Sequence, residues 1–135
     1  MTFPAPEDEE TGALPNDDRN LGILLLLGDP KPMGALLQTL RQEGLHVDTA
    51  GDLQAARTTF FGAGGHDCLV VGPDVRPGLA QKVASSLGTV DPALAMATFG
   101  PELQDARTSR TARLGGFHPS SRAGQGALLR FLRTL

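Results

Sequence analysis

The chain has no tryptophan and no tyrosine, and aromatic residues fill only 4% of its 135 positions. Its core must therefore be aliphatic, built from Leu, Val and Ala with a few Phe. A single cysteine, Cys68, excludes an internal disulfide and makes a reducing compartment the expectation. Long apolar runs are missing as well. The longest, Ile23 to Leu27, is far too short to span a bilayer. The acidic N-terminus lacks the basic-then-apolar order of a signal peptide. These absences lead to the expectation of a soluble, cytoplasmic protein, and the length suits one domain. No metal-ligand spacing appears: His46, His66 and His118 are scattered, and Cys68 belongs to an apolar run.

What charge there is, is unevenly spread. The net charge is −3, yet residues 1–19 alone carry six acids (Glu7, Asp8, Glu9, Glu10, Asp17, Asp18) against Arg19. The other 116 residues hold nine acids and eleven bases. The acidic segment contains Pro4, Pro6 and Pro15 and almost no apolar periodicity. It cannot bury enough surface to offset its chain entropy. Residues 1–20 are therefore expected to be an acidic disordered tail, and residues 21–135 a domain.

From Leu21 onward, short apolar runs alternate with helical patterns. Ile23–Leu27 reads as a strand buried on both faces. Met33, Leu36, Leu37 and Leu40 then share one helix face, and Gly44 ends that helix as a left-handed cap. His46–Ala50 reads as an edge strand. Asp52 is placed to N-cap a helix carrying Leu53, Ala56 and Phe60, which Gly62, Gly64 and Gly65 break. Cys68–Val71 is a second buried strand, followed by a helix with Leu79, Val83 and Leu87. Leu94–Thr98 is the next strand. Pro101 suits a first helical turn, and Leu103, Ala106 and Leu114 mark a helix after it. A very short strand is expected around Phe117, before a last stripe of Leu128, Phe131, Leu132 and Leu135. Five βα units of this kind predict a doubly wound α/β fold: a five-stranded parallel sheet with helices on both faces.

The order and spacing of these pieces resemble the receiver domain of two-component response regulators, the CheY-like module. LLLLGDP before a Leu-rich helix, EGLHVDTAGDLQAA, HDCLVVGPDVRPG, Thr98 and Phe117 carry the resemblance, which covers the 115 residues from Leu21. It implies the strand order 2-1-3-4-5. It also implies an acidic pair ending strand one that holds Mg²⁺, an aspartate ending strand three that takes a phosphoryl group, and a lysine ending strand five. The metal would need hard oxygen ligands and the developing charge would need cations.

Carried over residue by residue, this chain departs from that set. The acidic-pair positions match Leu27 and Gly28, with Asp29 one step later. The acceptor position matches Gly72, because the frame of Asp, four apolar residues and Asp opens at Asp67 and closes there. Asp74 stands two residues beyond. The lysine position matches Ser120, or Ser121 in the alternative register. Thr98 and the switch aromatic, Phe117, are kept. Gly28, Asp29, Gly72, Asp74, Thr98 and Ser120 thus outline a degenerate phospho-acceptor pocket. Asp29 and Asp74 are expected to be turn acids beside an emptied site.

Other constellations carry less. GAGGHD follows a helix and precedes a strand, the reverse of a phosphate cradle, and GDPKPMG lacks the Lys-Ser/Thr of a P-loop. His118 near Ser120 and Thr98 places a base by two hydroxyls with no third group in view. Arg107, Arg110, Arg113, Arg122, Arg130 and Arg133 make the last third basic. In receivers the fourth helix, fifth strand and fifth helix form the usual dimerisation and output surface. The resemblance therefore implies a protein partner or a second copy meeting Arg107, Arg110, Arg113, Arg130 and Arg133.

The expectation is a receiver-like signalling and interaction module that is not an enzyme and is independent of phosphorylation. No cofactor, metal, membrane or nucleic-acid partner is expected. Two alternatives stand beside it. One is a small-ligand sensor using the room that Gly28 and Gly72 leave at the strand ends. The other is residual aspartyl phosphotransfer through Asp74.

Overall fold

Four consecutive leucines, Leu24 to Leu27, need apolar surroundings on both sides, and the computed structural model supplies them. It describes residues 21–103 and 111–135. Strand β1 (Gly22–Leu26) lies inside a five-stranded parallel sheet, between β2 (His46–Ala50) and β3 (Cys68–Val71). Strands β4 (Ala95–Thr98) and β5 (Thr111–Arg113) complete the order β2-β1-β3-β4-β5. The expected fold and strand order are those observed.

Alternate residues of each central strand serve two separate cores, as strand geometry requires. Ile23 and Leu25 face the layer of Cys68, Val70, Ala95 and Ala97. Leu24 and Leu26 face the layer of Leu69, Val71 and Met96. The first core is covered by α1 (Gly34–Gln42) and α4 (Arg122–Leu132), through Leu36, Leu40, Leu128 and Leu132. The second is covered by α2 (Leu53–Gly62) and α3 (Pro77–Val90), through Ala56, Phe60, Val83 and Leu87. Each fully buried Leu contributes about 1.5–3 kcal/mol, so the aliphatic composition suffices without Trp or Tyr.

Local signals placed the ends of these helices. Asp52 accepts the Ala55 N–H at 2.7 Å as the N-cap of α2. Gly44, with φ of 85°, turns the chain out of α1 and into β2. Ser121 caps α4 by accepting the Gly124 N–H at 3.0 Å. A single 3-10 turn, Lys31–Met33, leads into α1 behind Pro30.

Two expectations about the last third are corrected. The strand expected around Phe117 is instead Thr111–Arg113, and Phe117 lies in the following turn, 42% exposed. Leu114 is not helical: it directly follows β5, its N–H donating to Thr98 O at 2.7 Å. Pro101 to Leu103 are likewise outside any helix. The strand escaped notice because Thr-Ala-Arg at a sheet edge needs little apolar character. The remainder of the helix expected after Pro101, with Ala106, Arg107 and Arg110, lies outside the described residues, as does the segment 1–20. No helix among the described residues is long and apolar enough to cross a membrane.

Candidate functional site

Parallel strands bring their C-terminal ends to one edge, where the connecting loops meet. Ala50, Leu26, Val71, Thr98 and Arg113 stand in one register row across that edge. The residues that follow continue the ladder: Leu27 N–H donates to Ala50 O, Gly72 N–H to Leu26 O and Phe99 N–H to Val71 O. The loops opened by Gly28, Gly72 and Gly100 rise from here.

The structure brings Asp29 and Asp74 together, although 45 residues separate them. The Asp29 N–H donates to Asp74 Oδ2. The carboxylate of Asp74 also covers both glycines. A Cβ placed on Gly28 would lie 3.0 Å from Asp74 Oδ2, and one on Gly72 would lie 3.4 Å from Asp74 Oδ1 and 3.3 Å from Leu26 O. The room expected above Gly28 and Gly72 is thus taken by the chain's own aspartate. Asp29 turns its carboxylate to its own loop, accepting the Lys31 N–H at 3.0 Å. This is an Asx turn, the local use of an aspartate before a proline-started helix.

Gly100 closes the same edge from the β4 side. A Cβ there would come within 2.7 Å of Pro73 Cα and 2.8 Å of Pro73 O, so only glycine fits between these loops. Thr98 is 2% exposed and its hydroxyl serves its own loop. It donates to Pro101 O at 2.7 Å and accepts the Gly100 N–H at 3.2 Å.

Ser120 does not stand at the end of the fifth strand. That position belongs to Arg113, and Ser120 sits in the turn that starts α4. Its hydroxyl lies 2.5 Å from His118 Nδ1, and its N–H donates to the same nitrogen at 3.1 Å. Ser121 Oγ donates to His118 O at 2.6 Å, so the turn is built from its own polar groups. Among the ion pairs of the described residues, none joins a carboxylate to His118 as the third group that would orient a catalytic base. The pocket outlined from sequence therefore divides. Gly28, Asp29, Gly72 and Asp74 meet, Thr98 borders them, and Ser120 serves a separate turn.

The arginine face is also redrawn. Arg113 is not on a helix, and Arg107 and Arg110 lie outside the described residues. Arg113 is the last residue of β5, where it pairs with Glu102 at 2.7 Å. Arg130 in the last turn of α4 and Arg133 at its C-cap are exposed. Neither takes part in the ion pairs of the described residues, which are His46–Asp48, His66–Asp48 and Arg113–Glu102.

One polar cluster was not visible in the scattered histidines. His66 reaches over β1 to Asp48 on β2, with Nε2 2.8 Å from Asp48 Oδ2 and its side chain only 1% exposed. The crossing passes Gly22, where a Cβ would meet the His66 ring at an ordinary contact distance of 3.7 Å. His46 flanks the same carboxylate at 4.0 Å. An ionised carboxylate only accepts, so a hydrogen bond at this contact requires Nε2 to be the donor. Nδ1 is buried with no partner among the described residues. The ring stacks on Phe60 at 5.7 Å. Lying at the opposite edge from the strand ends, this cluster ties β2 to β3 across β1. Among the described residues, no group of three or more potential ligands is arranged to hold a metal ion.

The comparisons with known proteins agree on the fold. The response regulator protein TrrA from Thermotoga maritima, solved in complex with Mg²⁺-BeF, superposes with a TM-score of 0.63 at 17% identity, covering 85% of this chain and 99% of that one. A Burkholderia pseudomallei protein described as pilus assembly-related superposes at 0.58 with 19% identity, covering 90% of this chain and 96% of that one. No family model matches the chain, and no curated protein matches it.

Proposed function

We propose that this receiver-like domain is a signalling module that works through protein contact and not through phosphoryl transfer to aspartate. The observation that carries the reading is the seat of Asp74. Its carboxylate lies over Gly28 and Gly72 and accepts the Asp29 N–H. A phosphoryl acceptor on strand three would need a carboxylate where Gly72 stands. A Mg²⁺ ion would need hard oxygens from the end of strand one, where Leu27 and Gly28 stand. The two nearby acids are spent on backbone N–H groups, and the arginine that ends strand five, Arg113, is paired with Glu102.

The surface that remains for output is the basic edge formed by β5 and α4. Residues 111–135 contain Arg113, Arg122, Arg130 and Arg133 and no acid. Phe117 lies exposed in the same segment. A cationic edge of this kind selects an acidic protein surface, mainly through on-rate and salt dependence. The test is incubation with acetyl phosphate and millimolar Mg²⁺, read by intact mass and thermal unfolding. Unchanged mass and an unchanged Tm support the reading. An added phosphoryl group that is lost in Asp74→Ala, or a saturable Mg²⁺-dependent rise in Tm, overturns it.

A further inference from the structure

We propose that the acidic segment 1–20 docks on the basic last turn of its own α4, where it competes with an acidic partner. The proposal deepens the protein-contact reading by naming what regulates that surface. Three observations carry it: where the segment joins the domain, what lies beside the junction, and the charges on each side.

The segment joins the domain at Leu21, which packs against the core layer under α1 and α4. Helix α4 starts from the turn beyond β5, at the strand-end edge, and runs back along the sheet. Its 11 residues cover about 16 Å at 1.5 Å per residue, close to the length of a five-residue strand. Its last turn therefore reaches the edge where β1 begins, and Leu135 packs on the same core layer as Leu21. Arg130 and Arg133, three apart, share a face of that turn. Both are exposed, and neither is in the ion pairs of the described residues.

The charges are complementary. Six acids precede Leu21 and no acid occurs in residues 111–135. Asp17 and Asp18 lie only three or four residues from the junction, and Glu7–Glu10 are within about 50 Å of chain at full extension. Tethering holds the local concentration of the acids high without any strong individual contact. Arg113, already paired with Glu102, contributes less to this surface.

The test uses the full chain. A nitroxide is attached at Thr11→Cys, with Cys68 unreactive because it is fully buried. The expected result is broadening of the amide signals of Arg130–Thr134 at low salt. It should be relieved at 1 M NaCl, where the Debye length is about 3 Å, and by Arg130→Glu with Arg133→Glu. Broadening that is absent from α4, or that persists unchanged in the charge-reversed variant, overturns the proposal. So does broadening seen only when spin-labelled and isotope-labelled chains are mixed, which would make the contact one between copies. The phosphodonor experiment does not read the segment's position, so the two proposals fail separately.

Discussion

Asp74 closes the strand-end edge on Asp29, its carboxylate accepting that residue's N–H while lying above Gly28. The glycine and the carboxylate are one device, because a Cβ at 28 would stand 3.0 Å from Asp74 Oδ2. Asp74→Ala should cost about 1 kcal/mol, the usual net worth of an exposed hydrogen bond. Gly28→Ala should displace the same carboxylate. The double variant should then lose less than the two single losses added, in a double-mutant cycle followed by urea unfolding. Full additivity would show that the two residues act independently.

Two glycines of α4 should respond in opposite directions. A Cβ on Gly124 would meet His118 O at 2.3 Å, a backbone atom that cannot yield without moving the cap. One on Gly126 finds only the end of Arg130, at 3.6 Å. Gly124→Ala should therefore destabilise by about 1–3 kcal/mol. Gly126→Ala should stabilise by about 0.5–1 kcal/mol, the ordinary helix preference for alanine. Thermal unfolding of the pair, two residues apart in one helix, separates packing from propensity.

The His66–Asp48 contact predicts an unequal pair. Asp48→Ala leaves a buried ring with neither nitrogen partnered, at a cost of about 1–3 kcal/mol. His66→Phe removes the ring's polar atoms, retains an aromatic beside Phe60, and leaves Asp48 partly in water. It should cost less. Equal losses in chemical denaturation would show that the ring's shape matters more than its hydrogen bond.

Cys68 should be silent in the native state. Burial in β3, with the Asp67 charge adding to it, pushes the thiol far above its ordinary value. The thiolate is the reactive form. Iodoacetamide should therefore fail to label the folded protein between pH 7 and 9 and should label it fully in denaturant. Rapid native labelling would show that the sheet opens readily at β3.

Much of the architecture was legible because its causes are local. Strands buried on both faces appear as unbroken apolar runs, so Ile23–Leu27 and Cys68–Val71 announced the centre of the sheet. Caps are equally local: Asp52 and Gly44 act on groups within a few residues of themselves. Which residues follow the strands, Leu27 and Gly28 after β1 and Gly72 after β3, could also be read directly. Tertiary structure decided the rest. Thr111–Arg113 became a strand because β4 offered it an edge, not because its residues prefer one. Asp74 met Asp29, and His66 met Asp48, because parallel crossovers bring segments 45 and 18 residues apart onto neighbouring loops and strands. Residue type and spacing carry no record of such meetings. They exist only once the sheet has fixed which strand lies beside which.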